Sequence, residues 1–157
     1  MTNNSETADR EIVITRLIDA PRELVFEALT DPKHLLNWWG PKGFTNTFHE
    51  ADIRVGGVWR FTMHGPDGTD YPNYKVFKEI VKPERIVSTH GSGPGTDYQF
   101  LQTFTLKEQG GKTLLTMQLI FDTAATREMV VNQFNAIEGG NQTLDKLEAY
   151  LTKNFTK

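Results

Sequence analysis

Apolar residues recur along this chain with two different periods, and the change from one to the other divides it. "EIVITRLID", Glu11 to Asp19, is short and rich in β-branched residues, which predicts a strand. Behind Pro21, which suits a first helical turn, Leu24, Val25, Ala28 and Leu29 share one helical face. That helix is expected to end near Asp31-Pro32. "LLNWWGPKGF", Leu35 to Phe44, reads as an irregular turn or a short second helix. From Thr45 the period is two. Trp59, Phe61 and Met63 fall on one side of "VWRFTM", and "NYKVFKEIV" sets Tyr74, Val76 and Ile80 against Phe77 and Val81. "RIVSTH" is a further short strand. "YQFLQTFTL" aligns Tyr98, Phe100, Phe104 and Leu106, and "KTLLTMQLIF" aligns Leu115, Met117, Leu119 and Phe121. The links "VGG", "HGPDGTD", "VKPE", "HGSGPGTD" and "EQGG" are turn chemistry, so the strands should form an antiparallel meander.

Beyond Phe121 the period lengthens. Met129, Val130, Phe134 and Ile137 stand at helical spacing, and Leu144, Leu147 and Leu151 repeat it after an expected interruption at Gly139-Gly140. The order of strand, short helix, several strands and long helix predicts an α+β fold with helices on one face of an antiparallel sheet. Residues 11–155 are read as a single domain and residues 1–10 as a disordered tail.

Composition narrows the function classes. The chain has 157 residues, long enough for one domain with a sizeable core. Its 17 basic and 20 acidic residues give a net charge of −3, so nothing draws it to nucleic acid or to anionic lipid. The absence of cysteine excludes disulfides, thiolate nucleophiles and thiolate metal sites. The polar N-terminus has no signal-peptide h-region, and no run approaches the roughly 18 apolar residues of a membrane span. A cytoplasmic protein, monomeric or homodimeric and without a cofactor, is the expectation.

Most motif-like stretches reduce to turns. "GSGPG", Gly91 to Gly95, would need a following helix and a Lys-Ser/Thr or acidic ribose partner to cradle phosphate; a strand follows instead, so it reads as a hairpin loop. "DGTD" lacks the calcium-loop ligand series. His34, His49, His64 and His90 form no paired metal-ligand spacing, so no metal is expected. Ser88 and Ser92 lack a nucleophile-elbow context. Asp52 and Glu79 are isolated acids. The anomaly is the aromatic load, 11% of the chain, concentrated on the inferred concave strand faces and in the Trp38-Trp39 segment.

"ITRLIDAPRELVFEALTDPKHLLNWWGPKGF", "DIRVGGVWRFTM" and "GGNQTLDKLEAYL", in this order, resemble the START-related SRPBCC superfamily, in the branch named after the activator of heat-shock-protein ATPase. The resemblance covers about Glu11 to Leu151. It implies a helix-grip fold: a curved antiparallel sheet around a long C-terminal helix, two short helices after the first strand, and an apolar cavity between sheet and helix. On this reading Trp38 packs inward, Trp39 and "GPKGF" shape the rim, and Gly56-Gly57 makes a tight turn or bulge. Relatives often read "GWxxxLxxL" at the C-terminal helix, whereas Gly140 stands here at the Trp position. That leaves a gap which is either open or filled by a neighbour. The activator's separate N-terminal domain has no counterpart here, so co-chaperone activity is not implied.

The leading expectation is a protein that binds a hydrophobic, apolar or aromatic small molecule. The residues expected to line the site are Trp38, Trp39, Trp59, Phe61, Tyr74, Phe100, Met117, Leu119, Phe134, Gly140 and Leu144. A cyclase-, aromatase- or hydrolase-like enzyme in the same cavity is the alternative, with His64, His90, Glu79 and Tyr98 as its acid–base candidates. A co-chaperone-like interaction module is the third reading.

Overall fold

In the computed structural model, residues 8–91, 100–134 and 136–155 are described. The alternating runs form seven strands: β1 (Glu11–Ile18), β2 (Thr45–Ala51), β3 (Val58–His64), β4 (Asp70–Val81), β5 (Arg85–Gly91), β6 (Phe100–Gln109) and β7 (Lys112–Phe121). The helical stretches are α1 (Arg22–Thr30), α2 (Pro32–Trp38), α3 (Ala124–Phe134) and the long α4 (Ala136–Phe155). All strands pair antiparallel in one curved sheet, in the order β1-β7-β6-β5-β4-β3-β2. This is the helix-grip architecture.

The first two strands occupy opposite edges of the sheet. Successive strands lie about 4.8 Å apart, so the chain must travel on the order of 30 Å between β1 and β2. It does so through α1, α2 and the Trp38–Phe44 turn, which therefore lie across one face. Local chemistry makes this crossing well defined. Pro21 precedes α1, and the Asp31 side chain accepts a hydrogen bond from the Lys33 N–H at 2.9 Å to cap α2, with Pro32 in the first turn. Val25, Phe26, Ala28 and Leu29 of α1 are buried.

The other wall of the core is α4. Leu144, Leu147 and Leu151 are 0%, 0% and 2% exposed, and they join Ile12, Ile14, Leu115 and Met117 in one apolar cluster. On β1 Arg16 binds Asp145 at 2.6 Å and Glu148 at 3.0 Å on α4, tying the edge strand to the helix.

Gly139 and Gly140 lie inside α4 rather than interrupting it. Close approach explains the glycine. A Cβ at Gly140 would lie 2.7 Å from Ile14 Cδ1 and 3.2 Å from Met117 Cε, so the backbone of α4 rests directly on β1 and β7. The space left at this position is occupied by those two side chains. Gly56, at φ +81°, and Gly57, whose Cβ would meet the Asp52 carbonyl oxygen at 2.0 Å, form the tight turn before β3. The tail expected over residues 1–10 needs one correction. Ala8–Arg10 form a 3-10 turn, and Arg10 donates to the Phe121 carbonyl at 2.6 Å, so these residues belong to the fold.

Gly140→Trp should overpack this contact and destabilise the protein by about 1–3 kcal/mol. Urea denaturation would measure this, and a variant more stable than wild type would show that the sheet can yield a larger space.

Candidate functional site

Antiparallel register places Ala51, Trp59, Lys75, His90, Phe100 and Phe121 opposite one another in turn across six strands. Directly paired residues share a face, and this rung faces the core. Two neighbours extend its polar part: Ser88 and Gln102, also paired, are 3% and 7% exposed on the same face. A lysine and a histidine thus stand in the middle of an aromatic surface.

Lys75 is only 2% exposed. Its ammonium reaches across β5 to donate to Gln102 Oε1 at 2.7 Å. It lies 5.5 Å from the centre of the Trp39 ring and 5.6 Å from that of Phe100, within cation–π range of both. His90 stacks on Phe100 at 4.4 Å with 10° between the planes. Burial disfavours charge on Lys75 and lowers its pKa from 10.5 to about 7. Burial, and secondarily the Lys75 charge, hold the His90 imidazole well below its ordinary value, so it is neutral. Two buried nitrogens here have no hydrogen-bond partner among the described residues: Trp59 Nε1 and His90 Nδ1.

The aromatic walls come from the crossing segment and from β2 and β3. Trp39 packs edge-on against Trp59 at 5.0 Å, and Trp59 stacks on Phe61 at 4.2 Å. The two adjacent indoles have different tasks. Trp38, 1% exposed, points to α1 and donates Nε1–H to the Ala28 carbonyl at 3.0 Å. Trp39, expected at the rim, is buried as well and lies over Lys75.

The other expected lining residues divide. Trp59, Phe61, Phe100, Met117 and Leu119 share the inner face, with Leu144 and Gly140 opposite on α4. Tyr74 does not: its partners are Arg60 and Gly91, so it lies on the outer face, next to Lys75 in sequence but opposite in direction. The Phe134 side chain, Tyr98 and residues 92–95 of the glycine-rich loop lie outside the described residues. His64 is on the outer surface, where Nδ1 meets Asp70 Oδ1 at 2.7 Å and Nε2 meets Thr47 Oγ1 at 2.7 Å. The partners are those of a hydrolytic triad, but Thr47 and Asp70 are exposed and His64 half-buried on the outer face of the sheet. Glu79 is bound to Arg85 at 2.8 Å. Glu27, Asp31 and His34 cluster closely enough to suggest metal ligands. However, the His34 nitrogens contact Tyr150 and Glu27, and Asp31 caps α2.

Sequence reasoning missed Lys75 and Gln102. A lysine in a strand is ordinarily solvated. The signal available was alternation alone: Asn73, Lys75 and Phe77 share one parity. Two surface grooves lie elsewhere. One, of about 390 Å³, is bounded by Asn37, Lys146 and Tyr150, and the other, of about 290 Å³, by Arg22, Glu84 and Lys107. Neither is lined by Lys75.

The fold and this inner face define a helix-grip domain. Residues 19–152 match the family described as activator of Hsp90 ATPase homolog 1-like protein, and the chain belongs to that family. A protein of Nitrosomonas europaea has a similar structure, with a TM-score of 0.82 and 24% identity over 96% of this chain and 99% of its own. One from Mycobacterium smegmatis has a TM-score of 0.82 and 26% identity over 93% of each chain. One from Chromobacterium violaceum has a TM-score of 0.75 and 27% identity over 88% of this chain and 95% of its own. No curated protein matches. No described helix is long and apolar enough to cross a membrane.

The lysine carries a pH signature. Between about 7 and 10.5 the unfolded chain binds a proton at Lys75 that the folded chain does not. Its contribution to stability therefore rises with pH through that window, by up to about 1.4 kcal/mol per unit, while below about 7 the full penalty of the buried charge remains. The stability of Lys75→Met relative to wild type should accordingly fall between about pH 7 and pH 9. Urea denaturation at the two pH values measures it, and a difference independent of pH would mean that Lys75 stays charged when buried.

Proposed function

We propose that the protein binds a small apolar or aromatic molecule between the inner face of the sheet and α4. One observation carries this reading. The inner face combines an aromatic wall, Trp39, Trp59, Phe61 and Phe100, with buried polar atoms that the described residues leave unpaired. Binding sites have this composition: apolar surface for affinity and a few polar groups for orientation. Membership in the family is consistent with a ligand-binding domain.

The magnitudes allow useful affinity. Removing ~300 Å² of apolar ligand surface from water contributes about 7 kcal/mol. Lost translational and rotational freedom opposes it by at least about 4 kcal/mol. Apolar burial alone thus gives weak binding, and polar contacts are needed to reach micromolar affinity or better.

Native mass spectrometry of the freshly purified protein should show an added mass of a few hundred daltons or less, released on denaturation. Titration of the ligand-free protein with that compound should change tryptophan fluorescence, since Trp39 and Trp59 are in the wall. A compound that co-purifies and rebinds with no change in Trp39→Phe or Trp59→Phe would place the site elsewhere.

A further inference from the structure

We propose that the rung of Trp59, Lys75 and His90 is the recognition site for the carboxylate of an aromatic or apolar acid, with the ring system lying against Trp39 and Phe100. This rests on the small-molecule-binding reading above and names the class of ligand.

The argument starts from donors. An indole N–H and an ammonium can only donate hydrogen bonds, and an imidazole nitrogen donates in one tautomer. Trp59 Nε1 is buried with no acceptor among the described residues, and Lys75, with three N–H bonds, gives one to Gln102. His90 Nδ1 is also buried and unpaired among the described residues. These residues stand side by side on β3, β4 and β5, because Lys75 pairs with Trp59 on one side and with His90 on the other. Opposite residues in such a ladder are about 5 Å apart. Whatever satisfies them must present acceptor oxygens, more than one, across that short row.

Charge narrows the class. Around Lys75 the groups are Trp59 from β3, His90 from β5, Gln102 and Phe100 from β6, and Trp39 from the segment after α2. Of these His90 alone titrates, and it is held neutral. One cation without a carboxylate partner among the described residues matches a monoanion. A phosphate dianion would need a second positive charge. The flanking rings suit an aromatic or apolar body, and Gln102 fixes the direction of the ammonium.

The pair 2-naphthoate and 2-naphthalenemethanol tests this, because they share one ring system and differ in the charged group. Calorimetric titration of wild type should give naphthoate an affinity at least about tenfold above the alcohol. In Lys75→Met that preference should vanish. Trp59→Phe, which keeps a ring and removes one donor, should reduce the preference partly. A second readout needs no variant. At about pH 8 the amine is largely neutral in the free protein, so binding the anion should take up close to one proton, seen as a dependence of the binding heat on the buffer's ionisation heat. The alcohol should show none. If both compounds bind alike and without proton uptake, the carboxylate assignment fails and the binding reading stands. If neither binds at millimolar concentration, both fail.

Discussion

The pairing of β1 with β7 is the constraint on which the rest of the molecule depends. Because the first strand closes one edge and β2 forms the other, the chain between them must cross the sheet. A crossing needs a stiff, apolar path, and α1, α2 and the two tryptophans supply it. Trp38 fastens the crossing to α1 through its indole N–H, while Trp39, the next residue, is thereby turned onto the sheet above Lys75. The composition of the inner face follows from an edge pairing more than twenty residues away in sequence.

The second wall is set by contact distance. Gly140 brings α4 onto Ile14 and Met117 at van der Waals range, and three leucines continue the contact towards the C-terminus. Arg16, bound to Asp145 and Glu148, holds the helix in register with the edge strand. The grip is tight at that edge of the sheet. Its polar part lies further along, where β4, β5 and β6 carry Asn73, Lys75, Ser88, His90 and Gln102 in place of aliphatic residues. A buried lysine opposes folding unless it is neutral or well solvated by its surroundings. Here an amide oxygen, two aromatic faces and a pKa near neutrality offset that cost. Ordinary core packing has no need of such a group, which makes it informative about function. The fold alone is not, since one architecture hosts many activities.

Much of the architecture was legible in the chain because it rests on local rules. Period-two alternation marks strands wherever one face is buried, and the change to helical spacing after Phe121 marks the C-terminal helices. The glycines at 56 and 57 announced a turn that side chains would obstruct. Those signals, with the motifs around the tryptophans, were enough for the helix-grip fold and the family. They also named several residues of the inner face, from Trp59 and Phe61 to Met117, since buried aromatic and aliphatic positions repeat at the strand period.

What tertiary structure decided was the direction of residues whose local signal is ambiguous. On β4 both parities carry apolar side chains, because a register shift between Phe77 and Glu79 exchanges the faces midway; Tyr74 was therefore expected inside, the reverse of the structure. Gly139-Gly140 has the local chemistry of a helix break, yet it lies within α4 because packing on Ile14 and Met117 outweighs the conformational entropy of two glycines. Which of two adjacent indoles turns onto the sheet above Lys75 depends on the carbonyl of Ala28, supplied by another helix. The sequence by itself determined the alternation, the order of elements and the aromatic content of the core. Only long-range pairing decided that Trp59, Lys75 and His90 stand in one row, because the contact between them is made by strand register and not by any spacing along the chain.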